Sequence, residues 1–232
     1  MSLRPLSALA ACLVLAACAT PSGTPSDPML GAAAQVQAFN FVEVVRRVEP
    51  VAEAECARRN PGAVCDFRIV VDDRPFMEPN AYQTLDSTGR PVLAFTAALI
   101  AIVQNEDELA FVMAHEASHH IAGHLDRMGQ NASAGAAAFG RIARETAGAT
   151  PDSIREAEML GAQVGARSYS KEFELEADRL GALVASEAGY DPLHGADFFL
   201  RLPDPGNRFL GTHPSNAERI ATVRAAVAEF GV

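Results

Sequence analysis

Tryptophan is absent and aromatic residues make up only 6% of the 232-residue chain, yet 49% of its residues are hydrophobic. A core built with so few large rings must be packed from small aliphatic side chains, and the abundant alanine favours close helix packing over a sheet-rich fold. There is no Lys/Arg run, and the net charge is -10 with an isoelectric point near 5.0. That balance argues against a nucleic acid or an anionic membrane surface as the main partner. Past the N-terminus no apolar span approaches the length of about 20 residues that a membrane helix needs. No internal repeat is visible, and the length suits one domain with appendages.

The N-terminus reads as an address. Residues 1–17 carry one positive charge, Arg4, and the apolar run LSALAACLVLAA, which is too short to span a bilayer and fits a secretory signal. Its end, Leu15-Ala16-Ala17-Cys18, resembles the bacterial lipobox, which implies lipid on Cys18. Ala19 rather than Asp follows, so the expected address is the periplasmic face of the outer membrane. Residues 18–31 then form a Pro/Ser/Thr-rich flexible tether, and residues 32–232 the folded domain. With Cys12 removed and Cys18 lipidated, only Cys56 and Cys65 remain of four cysteines. An oxidising periplasm favours a disulfide between them, the alternative being two buried thiols.

Along the body, apolar residues from Val36 to Val51 recur at helical intervals within 33–59, as one helix or a pair, until Asn60-Pro61-Gly62 breaks the pattern. Residues 67–71 read as a strand, and residues 80–84 and 91–95 as a hairpin turning through Asp86-Ser87-Thr88-Gly89. The apolar stretch 96–103 reads as a helix packed inside. Asn105, with Glu108 three positions into the next helix, predicts a capped start and a helix running to about Ala122. The Ala/Gly-rich residues 129–150 fit either a tightly packed helix or a mobile flap. Further helices are expected after Asp152, from Tyr169-Ser170 to Gly189, and from Ser215 to Phe230. The fold class is therefore α+β and mainly helical, with a small antiparallel sheet.

One of these helices carries His115-Glu116-Ala117-Ser118-His119, an H-E-x-x-H pattern. Positions four apart on a helix share a face, so both imidazoles can reach one metal ion while Glu116 faces the water beside it. A shuffled chain of this composition would show the pattern on the order of once in a hundred times, so the weight falls on the rest of the chain. A catalytic zinc usually takes a third protein ligand and keeps one open position. Glu174 and Asp178 share a helix face four residues apart, one placed to bind metal and the other to accept a ligand histidine's second ring N–H. Glu172 and Glu176 lie close by, and spacing alone does not choose among the three glutamates.

The segments FRIVVDD, Asn80-Ala81-Tyr82, NEDELAFVMAHEASHHIAGH, SYSKEFELEADRLG, AGYDP and THPSNAERI occur in an order that resembles the gluzincin family of CAAX prenyl proteases and bacterial envelope quality-control metallopeptidases. The resemblance covers roughly residues 36–230. It implies a zincin-like domain with the sheet beside the active-site helix, one Zn²⁺ held by His115, His119 and Glu174, and Asp178 supporting a ligand histidine. It implies Glu116 as the general base, with His213 either steadying the oxyanion or latching the metal, and Asn80, Ala81 and Tyr82 on an edge strand that takes substrate backbone. His124 matches a histidine common in the family but lies off the face of His115 and His119; it reads as support for the site or a cap on the helix end. Arg219 reads as an anchor for the segment after His213, His120 as structural and His194 as a surface residue. Ser118, Ala98-Leu99 and the LDSTG turn depart from the family's usual residues, none at a ligand position.

The expected function is a membrane-anchored zinc endopeptidase that hydrolyses misfolded envelope proteins through a zinc-activated water, with peptides as partners and the membrane reached through the N-terminal lipid. The rival expectation is a lipid-anchored chaperone or adaptor that binds unfolded segments beside a latched or silent zinc site.

Overall fold

A computed structural model describes residues 28–206 and 211–232. The signal segment, Cys18 and most of the tether lie outside the described residues. The element order is α1 (Pro28–Arg59), β1 (Arg68–Asp72), β2 (Ala81–Leu85), β3 (Pro91–Thr96), α2 (Ala97–Ile102), α3 (Glu106–Ile121), α4 (His124–Glu145), α5 (Pro151–Arg167), α6 (Ser170–Glu187), α7 (Pro192–Ala196), α8 (Phe198–Arg201) and α9 (Asn216–Phe230). The fold is mainly helical α+β, and among the described residues no helix is long and apolar enough to cross a membrane.

α3 is the central element. Leu109 to Ala114, Ala117, Ser118 and Ile121 are all buried, because α1, α6, α7 and the sheet surround it. α1 meets it through Phe41, Val44, Val48, Ala52 and Cys56, spaced three or four apart as one buried face requires. The α1 pattern is one helix that continues through Pro50. The start of α3 is fixed as its residues predict: the Asn105 side chain accepts from the Glu108 backbone N–H at 2.9 Å. Glu108 reaches one residue further back than a capping box, accepting from the Gln104 N–H at 2.8 Å. Arg201 forks onto its buried carboxylate, which ties α8 to the head of α3.

The sheet corrects one expectation. Its order is β1-β3-β2, with β3 antiparallel to β2 but parallel to β1, so it is mixed rather than antiparallel. The hairpin folds β3 back between the other two strands, which sets Ala94 between Val70 and Tyr82. β2 is left as an edge. The stretch expected inside is also different: α2 buries only Leu99, and Ile102 is exposed. Thr96 caps α2, while its hydroxyl bonds both the Glu78 carbonyl and the Asn80 N–H, fixing where β2 begins.

The Ala/Gly-rich segment forms α4, which pairs lengthwise with α5. A Cβ on Gly161 would stand 2.3 Å from the Gly135 carbonyl oxygen, and one on Gly165 would stand 2.1 Å from that of Asn131. The two helices therefore meet backbone to backbone, which side chains larger than hydrogen at these positions would prevent. α5 is capped by Thr150 with Pro151 in its first turn, two residues before the expected Asp152. Cys56 and Cys65 are joined by a disulfide between the end of α1 and the segment leading to β1.

Candidate metal centre

His115 and His119 project from one face of α3 toward α6. The close approach of the two helices depends on Gly181, where a Cβ would lie 3.1 Å from both the N and the Cα of His115. Asp178 and Glu174, one and two turns earlier on α6, are thereby carried to the same face of the site. His115 Nε2 and His119 Nε2 are 3.1 Å apart, and the Glu174 oxygens stand 3.6 Å and 3.5 Å from them. Donor atoms on a tetrahedral ion, each at about 2.0–2.1 Å, are about 3.4 Å from one another, so this spacing fits a single bound metal. Two histidines and a carboxylate are also a catalytic donor set that leaves a fourth position for water or substrate. Among the described residues this is the group that can hold a metal ion.

Each donor is oriented from behind. His115 Nδ1 lies 2.9 Å from Asp178 Oδ1, which fixes the tautomer that leaves Nε2 facing the site. Asp178 is fully buried and is gripped by Arg219 at 2.8 Å and 2.6 Å, with the guanidinium 3.8 Å over the Phe199 ring. Arg219 thus anchors α9 on the site itself, not only its own segment. His119 Nδ1 lies 2.8 Å from His124 Nδ1, and His124 Nε2 lies 3.3 Å from Glu176. Glu176, which sequence spacing left as a rival to Glu174, points away from the donor set and pairs with Arg127 at 2.7 Å.

The charges of these groups act on one another. Burial and the Arg219 charge push the His115 imidazole down, but the Asp178 and Glu174 carboxylates outweigh them and raise it to about 9. Burial and the neighbouring His115 push His119 down to about 3. Burial pushes the Glu174 carboxyl up, yet hydrogen bonds from His115 and His213 hold it well below the usual range.

Glu116, next to His115, faces the same space. Burial raises its carboxyl to about 7, with the Gln83 backbone N–H of β2 pulling the other way. His213 reaches in from the segment before α9, its Nδ1 3.2 Å from Glu174 Oε2, with the ring more than half exposed. Asn80, Ala81, Tyr82 and Gln83 line the cavity that also holds His115, Glu116, His119, Glu174 and His213, with a volume of about 550 Å³. Phe198, Phe199, Leu202 and Pro203 form apolar wall on one part of it. The Cys56–Cys65 disulfide is not part of that lining. His120 bonds the Val64 carbonyl at 2.7 Å and packs against Phe67, and His194 pairs with Asp107 at 2.9 Å on the surface.

Residues 38–227 match peptidase family M48. The chain belongs to that family. Over 150 residues this M48 chain is 33% identical to a putative beta-barrel assembly-enhancing protease of Vibrio cholerae, covering 60% of the chain and 31% of the relative. It is 33% identical over 142 residues to the beta-barrel assembly-enhancing protease of Escherichia coli K12, covering 55% and 29%. The M48 chain thus spans about a third of the length of the curated relatives it matches.

Proposed function

We propose that this chain is a zinc-dependent endopeptidase of the bacterial envelope, with the metal held by His115, His119 and Glu174. The observation that carries the reading is the near-tetrahedral spacing of those three donors beside Glu116, in one cavity with the free edge of β2. Zinc bound there supplies a Lewis acid for the scissile carbonyl and makes water more acidic near neutral pH. Glu116 takes a proton from the attacking water and hands it to the leaving amine nitrogen. Its carboxyl, raised toward neutrality by burial, is suited to both transfers. The edge of β2, which has no neighbouring strand among the described residues, receives the substrate main chain as an added strand, with Asn80, Ala81 and Tyr82 flanking the scissile bond. His213, which lines the same cavity, would donate toward the developing oxyanion.

The lipobox-like Leu15 to Cys18 and the disulfide both favour an oxidising envelope compartment, and the names of the relatives favour envelope proteins as substrates. Lipid on Cys18 at the outer membrane belongs to the same proposal. A second reading, a chaperone or adaptor with a silenced site, is favoured by one contact, the His213 ring against the ligand carboxylate.

Dialysis of the purified protein against a chelator is expected to abolish casein cleavage, and one equivalent of zinc to restore it. Cleavage that persists in chelator would overturn the zinc-dependent reading. His213→Ala separates the two readings: cleavage drops in the variant if His213 assists the reaction, and appears only in the variant if His213 silences the site.

A further inference from the structure

His124 is a buried histidine in the wall of the same cavity, outside the proposed donor set, and its surroundings are specific. Its ring is stacked on Phe173 at 4.6 Å with 15° between the planes. Arg127 lies over the same phenyl ring at 4.4 Å. Both ring nitrogens are engaged, Nδ1 with His119 at 2.8 Å and Nε2 with Glu176 at 3.3 Å. We infer that His124 is a positioning residue: it accepts the Nδ1 proton of His119 and so holds the second ligand imidazole with Nε2 turned to the metal.

This rests on the reading of His119 as a metal ligand, and the proton assignment then follows from counting. His119 faces Glu174 and His115 through Nε2, which must carry a lone pair to bind a cation. A neutral imidazole then bears its proton on Nδ1, where the nearest acceptor is His124 Nδ1. His124 in turn bears its own proton on Nε2 and donates it to Glu176, whose charge is offset by Arg127. The donor chain runs His119 to His124 to Glu176. Reversing either ring would set two N–H groups, or two lone pairs, against each other at 2.8 Å.

The backbone explains why this partner is out of reach of helical spacing. On one continuous helix, positions five apart lie about 140° around the axis, and His124 would face away from His119. Gly123 interrupts the helix with φ at +66°, in the left-handed region, and α4 restarts at His124. That turn swings the imidazole back beneath the second ligand. The two ligand histidines are therefore supported unequally, His115 by a carboxylate directly and His119 by a neutral ring that relays to a carboxylate one step further out.

The test is the zinc dissociation constant of the full chain, read by competition with a chromophoric chelator, alongside the melting temperature of the metal-free protein. His124→Phe keeps the stack on Phe173 and removes the acceptor; zinc affinity is expected to fall about 10- to 100-fold. His124→Asn places an amide oxygen where Nδ1 stood, and should bind zinc more tightly than His124→Phe. A purely packing role would change the melting temperature and leave the dissociation constants of the folded proteins alike. Affinity in His124→Phe equal to that of the unchanged protein overturns the inference, as does equal loss in His124→Phe and His124→Asn. If His124→Phe does not fold, Glu176→Leu serves in its place: weakened zinc binding supports the relay and unchanged binding overturns it. Should the unchanged chain bind no more zinc than His119→Ala, the ligand assignment itself fails, an outcome distinct from all of these.

Discussion

Glu116→Gln is expected to lower the rate of casein cleavage by about 10²- to 10⁴-fold, the usual worth of a general base, while the protein keeps its zinc. Glutamine has nearly the same shape and can still sit beside His115, but it has no lone-pair charge with which to take a proton from water. None of the three proposed ligands is altered, so metal content and melting temperature should stay near those of the unchanged protein. The local electrostatics favour the substitution, if anything, because burial already raises the Glu116 carboxyl to about 7. A variant that cleaves at the original rate would remove Glu116 from the mechanism. Lost cleavage with lost zinc would instead assign it a part in holding the metal.

The largest expected effect on stability belongs to Arg219. Arg219→Met leaves the fully buried Asp178 carboxylate with His115 as its remaining charged-state partner, and should destabilise the fold by about 3–5 kcal/mol. Arg219→Met/Asp178→Leu should recover much of that loss, since it removes the buried charge as well as its partner. The pH dependence carries a definite sign. Burial pushes the Asp178 carboxyl up, but hydrogen bonds from Arg219 and His115 outweigh it and hold the carboxyl below its ordinary value. A depressed folded value means that the contribution is complete above the unfolded value, near about 3.9, and disappears as pH falls through the lower folded one. Without Arg219 the burial cost remains, so Asp178 takes up its proton at higher pH and acid unfolding begins earlier. Urea unfolding followed at falling pH checks both points; a single variant as stable as the unchanged protein would show that the pair contributes nothing net.

How far the residues announced this arrangement varies with the distance over which each feature is decided. His115 and His119 are legible because a helical period alone puts them on one face, and the Asn105 cap fixes the helix that carries them. Glu174 is not legible by itself. Positions two apart on a helix point about 200° apart, so Glu174 and Glu176 cannot both be ligands of one metal ion, but the period does not say which of them faces the histidines of α3. That is decided by Gly181, where α6 can approach His115, a contact between distant segments. The resemblance reads His124 as support for the site or a helix-end cap; helical spacing alone does not choose, because the turn at Gly123 changes its direction. Arg219 could be placed near the site, but its grip on Asp178 depends on packing between α9 and α6.

The fold shows the same division. The three strands and their hairpin could be read from alternation and turn residues, but the parallel pairing of β1 with β3 depends on the 73–80 connection passing the place that β3 fills. For α2, apolar composition pointed inward although only Leu99 is fully buried, because hydrophobicity alone does not say what packs against it. The Ala/Gly-rich segment left helix and flap equally open. The deciding contacts, Gly135 with Gly161 and Asn131 with Gly165, join residues about 30 positions apart, where local propensity is silent.

The claim on which the rest depends is that one metal ion sits among His115, His119 and Glu174. Anomalous diffraction at the zinc absorption edge, from crystals of the zinc-loaded protein, tests it most directly. One peak is expected within about 2.0–2.2 Å of His115 Nε2, His119 Nε2 and a Glu174 oxygen. A map with no peak there, or with its zinc on other residues, would contradict the account.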